Sequence, residues 1–187
     1  CLNKAGRGGI VKKGEDTNVI QVARLRRTLL YLEDRDTFMA QLYKEVALFV
    51  KRCKKNNKKP CVRLNGTSDI QWELELYKGK SMFDSFPGVQ WYDYTKIPTR
   101  KVDHISNYHL TWSYSEASEK YSKLFDTVPN NKAVVFRNKE LPSTFKGVKV
   151  IDGDKTDMRF LDEPNVVVGL KAKGKAKKDM TGFVIDN

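Results

Sequence analysis

The sequence predicts an α/β fold: a mostly parallel, partial (β/α) barrel of about six strands behind a helical N-terminal segment. Two observations carry this expectation. Apolar residues recur at helical spacing through residues 17–56, and from residue 61 onward short β-rich runs follow one another. The segments between the first four runs are long enough for helical crossovers, which parallel neighbours need and tight hairpins do not. A length of 187 residues suits one domain, 1–187, made of a loop (1–16), a helical segment (17–56) and a β/α region (57–187). Cys1 in first position, without a preceding Met, also fits the C-terminal part of a longer chain.

The opening loop holds Gly6, Gly8 and Gly9 among polar residues. A helix over about 17–31 follows from Val19, Val22, Leu25 and Leu29, with Arg24, Arg26 and Arg27 on its other face. Asp34 or Asp36 is placed to cap a second helix, which continues to about Lys55 and carries the stripe Phe38, Leu42, Val46, Phe49, Cys53. The β-rich runs lie at 61–65, 89–94, 108–113, 133–137, 148–151 and 165–170, with helices expected over 69–79 and 115–126.

Hydrophobic residues make up 40% of the chain and aromatic residues 11%, which together argue for a packed core rather than disorder. No apolar run approaches the roughly 20 residues needed to cross a bilayer, and no secretory signal pattern is present. A cytoplasmic protein without a membrane partner is expected. The net charge is +12; the six cations of 51–59 and the five of 171–178, with no acidic residue in either segment, account for all but one of those charges. Such concentration is the footprint of a partner that bears phosphate, either a nucleic acid or a small molecule, although each segment also reads as a solvated face.

In α/β folds with parallel strands, ligands bind beyond the carboxyl ends of the strands. The residues there are Asn65, Gly66, Thr67, Ser68 and Asp69 after the first run, Asp93, Tyr94 and Lys96 at the second, and Ser113 and Glu116 at the third. Arg137 ends the fourth, Asp152 and Asp154 the fifth, and Lys171, Lys173 and Lys175 the last. A glycine directly after a strand lets the backbone approach a ligand, which makes 65–69 the most informative turn. The alternative is that Thr67, Ser68 or Asp69 caps a helix. Asp152 and Asp154, two carboxylates beside Gly153, suit a divalent cation or a simple turn.

Several motifs are missing. There is no Walker loop and no G-x-S-x-G elbow, and His104 and His109 are too few and too distant for zinc. Trp72, Trp91 and Trp112 read as core or helix-packing residues first, with Trp91 or Trp112 as a base-stacking platform second.

The strings VRLNGTSDIQWE (62–73), FPGVQWYDYTK (86–96), NYHLTWSYSE (107–116), KGVKVIDGD (146–154), RFLDE (159–163) and VVVGLKAKGKAK (167–178) resemble the bacteriophage family called gene product 88. The resemblance covers most of the chain and implies a location in the infected host cell, where a host protein is a further candidate partner. The layout also resembles a radical S-adenosylmethionine partial barrel. That resemblance implies a 4Fe–4S cluster and S-adenosylmethionine, with Asn65–Asp69 receiving the methionyl end of the cofactor and Cys1 as the last cysteine of a cluster loop whose other thiolates would lie upstream. Asp93, Lys96 and Glu116 become the catalytic candidates. Tyr94, Ser113, Arg137, Lys171, Lys173 and Lys175 become substrate or phosphate ligands. The function these features suggest is a radical S-adenosylmethionine-like enzyme acting on a nucleic acid or nucleotide; the alternatives are a non-enzymatic nucleic-acid-binding protein and a protein that inactivates a host factor.

Overall fold

The computed structural model describes residues 10–115 and 119–186; Cys1 and Glu116 lie outside them. The chain divides into two compact units, the first running to Val62 and including Gln71–Gln90, the second comprising Arg63–Ile70 and the chain from Trp91 on.

The first unit opens with α1 (Val19–Glu33) and α2 (Arg35–Lys55). Asn18 starts α1 by accepting hydrogen bonds from the backbone N–H groups of Ile20 and Gln21. Asp34 ends α1 and starts α2, its carboxylate accepting from Thr37 N–H, so two helices meet at one acidic residue. The stripe expected on α2 turns inward, with Val46 and Cys53 buried beside Met39. No residue of α1 is fully buried, and Leu25, Leu29 and Leu32 are exposed. Tyr31 and Phe38 pack on Trp72, and the Tyr31 hydroxyl donates to Glu75, which also pairs with Arg35 at 2.6 Å.

After β1 (Cys61–Val62), the helix expected over 69–79 is replaced by a 3-10 turn at Trp72–Leu74 and a hairpin of β2 (Leu76–Tyr77) and β3 (Lys80–Ser81). Lys78 and Gly79 both take positive φ, the backbone a tight two-residue hairpin requires. The short helix α3 (Met82–Ser85) closes the unit and buries Met82 and Phe83.

The second unit is built on a mostly parallel sheet. Its elements are β4 (Gln90–Thr95), β5 (Tyr108–Ser113), α4 (Glu119–Lys123), β6 (Lys132–Phe136), β7 (Thr144–Phe145), β8 (Val148–Asp152), β9 (Val167–Lys171) and β10 (Val184–Ile185). Five of the runs expected from sequence are strands within a residue or two, while at 61–65 only Cys61–Val62 is strand. The order is β4-β5-β6-β9-β8-β7, with β10 alongside β6; every pairing is parallel except the β7–β8 hairpin. That hairpin is again set by a lysine–glycine pair at positive φ, Lys146 and Gly147.

Alternation along the strands gives the sheet two unlike faces. On one, Trp112, Val134, Phe136 and Val167 form a core with Tyr114, Phe125, Val128 and Ile185. The other face is apolar on β6, β8 and β9 (Ala133, Val135, Ile151, Val168, Leu170) but polar on β4 and β5. Over it lies the connection between β8 and β9, which includes the 3-10 turn Arg159–Leu161, with Phe160 against Tyr92 at 5.5 Å between ring centroids.

This covering depends on Gly153. A Cβ there would stand 2.4 Å from Val168 Cγ1 and 2.8 Å from Arg159 Nη1, and the β-branched Val168 has little freedom to yield. Gly153→Ala is expected to lower stability by about 1–3 kcal/mol through overpacking, read as a lower urea midpoint with an unchanged m value.

Candidate functional site

A parallel strand covered on both faces usually reads as a continuous apolar run. β5 breaks this rule on one face and β4 on both, since Asp93 and Thr95 are buried on the side opposite Tyr92 and Tyr94. Tyr92 pairs in register with His109 and Tyr94 with Thr111; Lys96, just past the end of β4, and Ser113, at the end of β5, continue the two rows. The result is a polar ladder rising to the carboxyl ends of the strands.

Lys96 stands at its top. Its ammonium lies 3.4 Å from the carbonyl of Ser113 and 5.0 Å from the centroid of the Phe183 ring, with no carboxylate at ion-pair distance among the described residues. Burial lowers its proton affinity, opposed by the charge of Asp69. A half-buried cation with no carboxylate in direct contact among the described residues is suited to meet an anion or, once neutral, to accept a proton.

Lower on the same face, Asp157 is gripped by three side chains. Arg63 Nη1 donates to both carboxylate oxygens at 3.2 and 3.0 Å, and the hydroxyls of Tyr92 and Tyr94 donate at 3.2 and 3.3 Å. The Arg63 guanidinium also lies over the Tyr94 ring. Beneath the covering segment, His109 Nε2 and Thr111 Oγ1 are buried with no hydrogen-bond partner among the described residues, and so is Nη1 of Arg159, which the segment itself carries. Arg159 itself has no exposed surface; its Nε lies 3.3 Å from Asp162 Oδ2, but the N–H is not directed at that oxygen. Desolvation pushes the proton affinity of His109 down and that of Asp162 up.

The turn expected to bind a cofactor is held from below. Asn65 is buried, and its Oδ1 accepts from Ser68 Oγ at 2.8 Å and Ile70 N–H at 3.0 Å, leaving Gly66, Thr67 and Ser68 exposed. Open space surrounds Gly66. Asp93, only 1% exposed, accepts from Asn65 N–H at 2.7 Å and from the Tyr108 hydroxyl at 3.0 Å. Arg100 joins this group to Asp69, donating to the Tyr108 hydroxyl at 2.8 Å and to Asp69 at 3.1 Å, while Asp69 also accepts from Lys96 N–H at 2.7 Å. Asn65, Asp69, Asp93 and Lys96 are thus brought together by one hydrogen-bond network.

The remaining candidates lie elsewhere. Lys171 pairs with Asp152 at 3.2 Å and Lys173 with Asp154 at 2.8 Å, so the cations proposed for phosphate and the carboxylates proposed for a metal already serve each other. Arg137 pairs with Asp186 and donates to the carbonyls of Lys177 and Asp179, which ties down the C-terminal segment. Lys175 lies on the short helical turn Gly174–Lys178. No group of three or more His, Cys, Asp or Glu residues that would hold a metal ion occurs among the described residues. The described thiols, Cys53 and Cys61, are both free, and burial raises the proton affinity of Cys61. Two thiols do not make the three-thiolate set that a 4Fe–4S cluster takes, so the described residues do not fit that cofactor.

Sequence reasoning aimed at strand ends passes over Arg63, Tyr92, Thr111, Asp157 and Arg159, and weighs His109 only as a zinc ligand. The signal was clear on β5, where His109-x-Thr111-x-Ser113 places polar groups at every second position between Leu110 and Trp112, and weaker on β4, where Asp93 and Thr95 interrupt Tyr92-x-Tyr94-x-Lys96.

Fold and site define an α/β protein whose mostly parallel sheet carries a polar row of side chains on β4 and β5. The chain belongs to the Gene product 88 family, a phage family whose model matches residues 1–187. No curated protein and no solved structure matches it. No helix among the described residues is long and apolar enough to cross a membrane.

Burial raises the Asp93 carboxyl from its ordinary 3.8 to about 6, only partly offset by its hydrogen bonds to Asn65 and Tyr108 and by the charges of Arg100 and Arg63. The folded protein therefore holds this proton more tightly than the unfolded chain, and the contribution of Asp93 to stability falls as pH rises from about 4 to about 6, by on the order of 3 kcal/mol. His109, whose proton affinity is lowered, acts with the opposite sign, so the two must be separated. Urea unfolding across this range should show the wild type losing stability relative to Asp93→Asn as pH rises, with the change levelling off above about 6.

Proposed function

We propose that the second unit binds a phosphate-bearing small molecule or nucleotide at the carboxyl ends of β4 and β5 and acts on it there as an enzyme. The observation that carries this reading is Lys96: a half-buried ammonium at the head of a polar ladder, lacking an ion-pair partner among the described residues. Ser113 shares its position, and the exposed turn Gly66–Ser68 belongs to the same network through Asn65, Asp93 and Asp69. In this reading Asp93 is a positioning residue, and Lys96 is the group that meets the ligand.

The partial-barrel comparison belongs to this proposal: a parallel sheet with its ligand groups at the strand ends resembles part of a barrel wall, although β9 enters between β6 and β8. The radical S-adenosylmethionine reading assigns the 65–69 turn to the cofactor. No chemistry is assigned to a cluster, because its ligand set is not found among the described residues.

A second reading rests on the first unit. Lys54, Lys58 and Lys59 line a groove of about 600 Å³ whose apolar wall includes Val50, Phe86 and Val89. None of the six cations of 51–59 has a carboxylate at ion-pair distance among the described residues, in contrast to Lys171 and Lys173. That combination favours non-enzymatic binding of single-stranded nucleic acid, with phosphates on the lysines and a base on Phe86.

The two readings separate experimentally. For the first, Lys96→Met should weaken pyrophosphate binding at least tenfold by calorimetry at low salt, and an unchanged affinity would remove the reading. For the second, the triple change of Lys54, Lys58 and Lys59 to Gln should cut the slope of log affinity against log salt for a single-stranded oligonucleotide by roughly 2. A slope that stays the same counts against it.

A further inference from the structure

Asp157 is an exposed carboxylate, its side chain 56% accessible, and water would solvate it without help. An ion pair at such a site contributes only about 0–1 kcal/mol. Stability alone therefore does not explain why three donors from separate positions in the chain converge on it. Arg63 spans both oxygens and each tyrosine hydroxyl takes one, the arrangement by which proteins recognise the oxyanion of a ligand. Burial, the dominant cause, drives the proton affinity of Tyr94 far up, so its phenol remains a hydrogen-bond donor at any physiological pH.

The donors and the acceptor differ in where they sit. Tyr92 and Tyr94 are fixed on β4, whereas Asp157 is carried by the connection between β8 and β9. That connection covers the polar ladder, and beneath it His109 Nε2 and Thr111 Oγ1 on β5 are buried with no hydrogen-bond partner among the described residues. Buried polar groups in folded proteins are nearly always paired, so this set marks a surface shaped for something besides the segment that covers it.

We infer that Arg63, Tyr92 and Tyr94 form a recognition site for an oxyanion of the ligand, and that Asp157 occupies it as a competitor built into the chain. The inference rests on the reading of the β4–β5 face as a ligand site. A ligand entering there displaces Asp157 and frees the connection above it. Because the competitor is tethered, its effective concentration is high, and the apparent affinity of the free protein falls in proportion to the fraction of molecules with the site open.

The full chain should be titrated with pyrophosphate and with malonate, which present a phosphate and a carboxylate oxyanion. Asp157→Ala is expected to bind at least one of them five-fold or more tighter than wild type, and Arg63→Gln added to it should cancel the gain; the probe that gains more identifies the oxyanion. Should Asp157→Ala fail to fold, Asp157→Asn, which keeps the shape and loses the charge, carries the same comparison. Unchanged or weaker binding in the Asp157 variant, with Lys96→Met still abolishing binding, overturns the competitor and leaves the ligand face standing. Binding of neither probe by wild type or variant overturns both.

Discussion

A carboxylate taken out of water has to find donors, and Asp93 finds them in Asn65 N–H and the Tyr108 hydroxyl. That requirement organises the rim of the second unit. Asn65 is fixed by its backbone and in turn fixes the turn after it through Ser68 and Ile70; Tyr108 is fixed at the start of β5 and passes the connection through Arg100 to Asp69 and the backbone of Lys96. Buried charge is costly unless every partner is in place, and a network of this kind tolerates little displacement of any member. The exposed residues Gly66, Thr67 and Ser68 and the half-buried Lys96 therefore stand on a rigid base, the condition under which a site recognises a ligand without first having to order itself.

Charge distribution takes on a different meaning once ion pairs are known. Both lysine-rich segments lack acidic residues in the sequence, yet Lys171 and Lys173 spend their charge on Asp152 and Asp154, whereas the cations of 51–59 have no carboxylate at ion-pair distance among the described residues. A cation already paired with a carboxylate must lose that partner before it can hold a phosphate. Net charge points to anionic partners, but the pairing decides which lysines are available to them.

Much of the fold was legible. A first helix beginning near residue 17, Asp34 as one of two candidate starts of the second, the α2 stripe ending at Cys53, and five of the six strands follow from spacing and capping chemistry that act within a few residues. The two hairpins were not, because Lys78-Gly79 and Lys146-Gly147 are weaker turn signals than asparagine–glycine and demand positive φ from a lysine. Of the site, Asn65, Asp69, Asp93 and Lys96 were found by asking what lies at strand ends. Arg63, Asp157 and Arg159 were not, since their role comes from a connection folding back over the sheet 94 residues after Arg63, which no local pattern records.

The sequence by itself determined where the chain alternates, where helices begin, and that its positive charge is concentrated, since each depends on neighbours along the backbone. Only the tertiary structure decided which polar residues of β4 share a face with those of β5, which lysines are neutralised, and that Asp157 rests among Arg63, Tyr92 and Tyr94. Those facts depend on distances between residues far apart in the chain. Strand order and register set those distances, and the parallel pairing of β4 with β5 in one register is what sets Tyr92 beside His109 and Tyr94 beside Thr111.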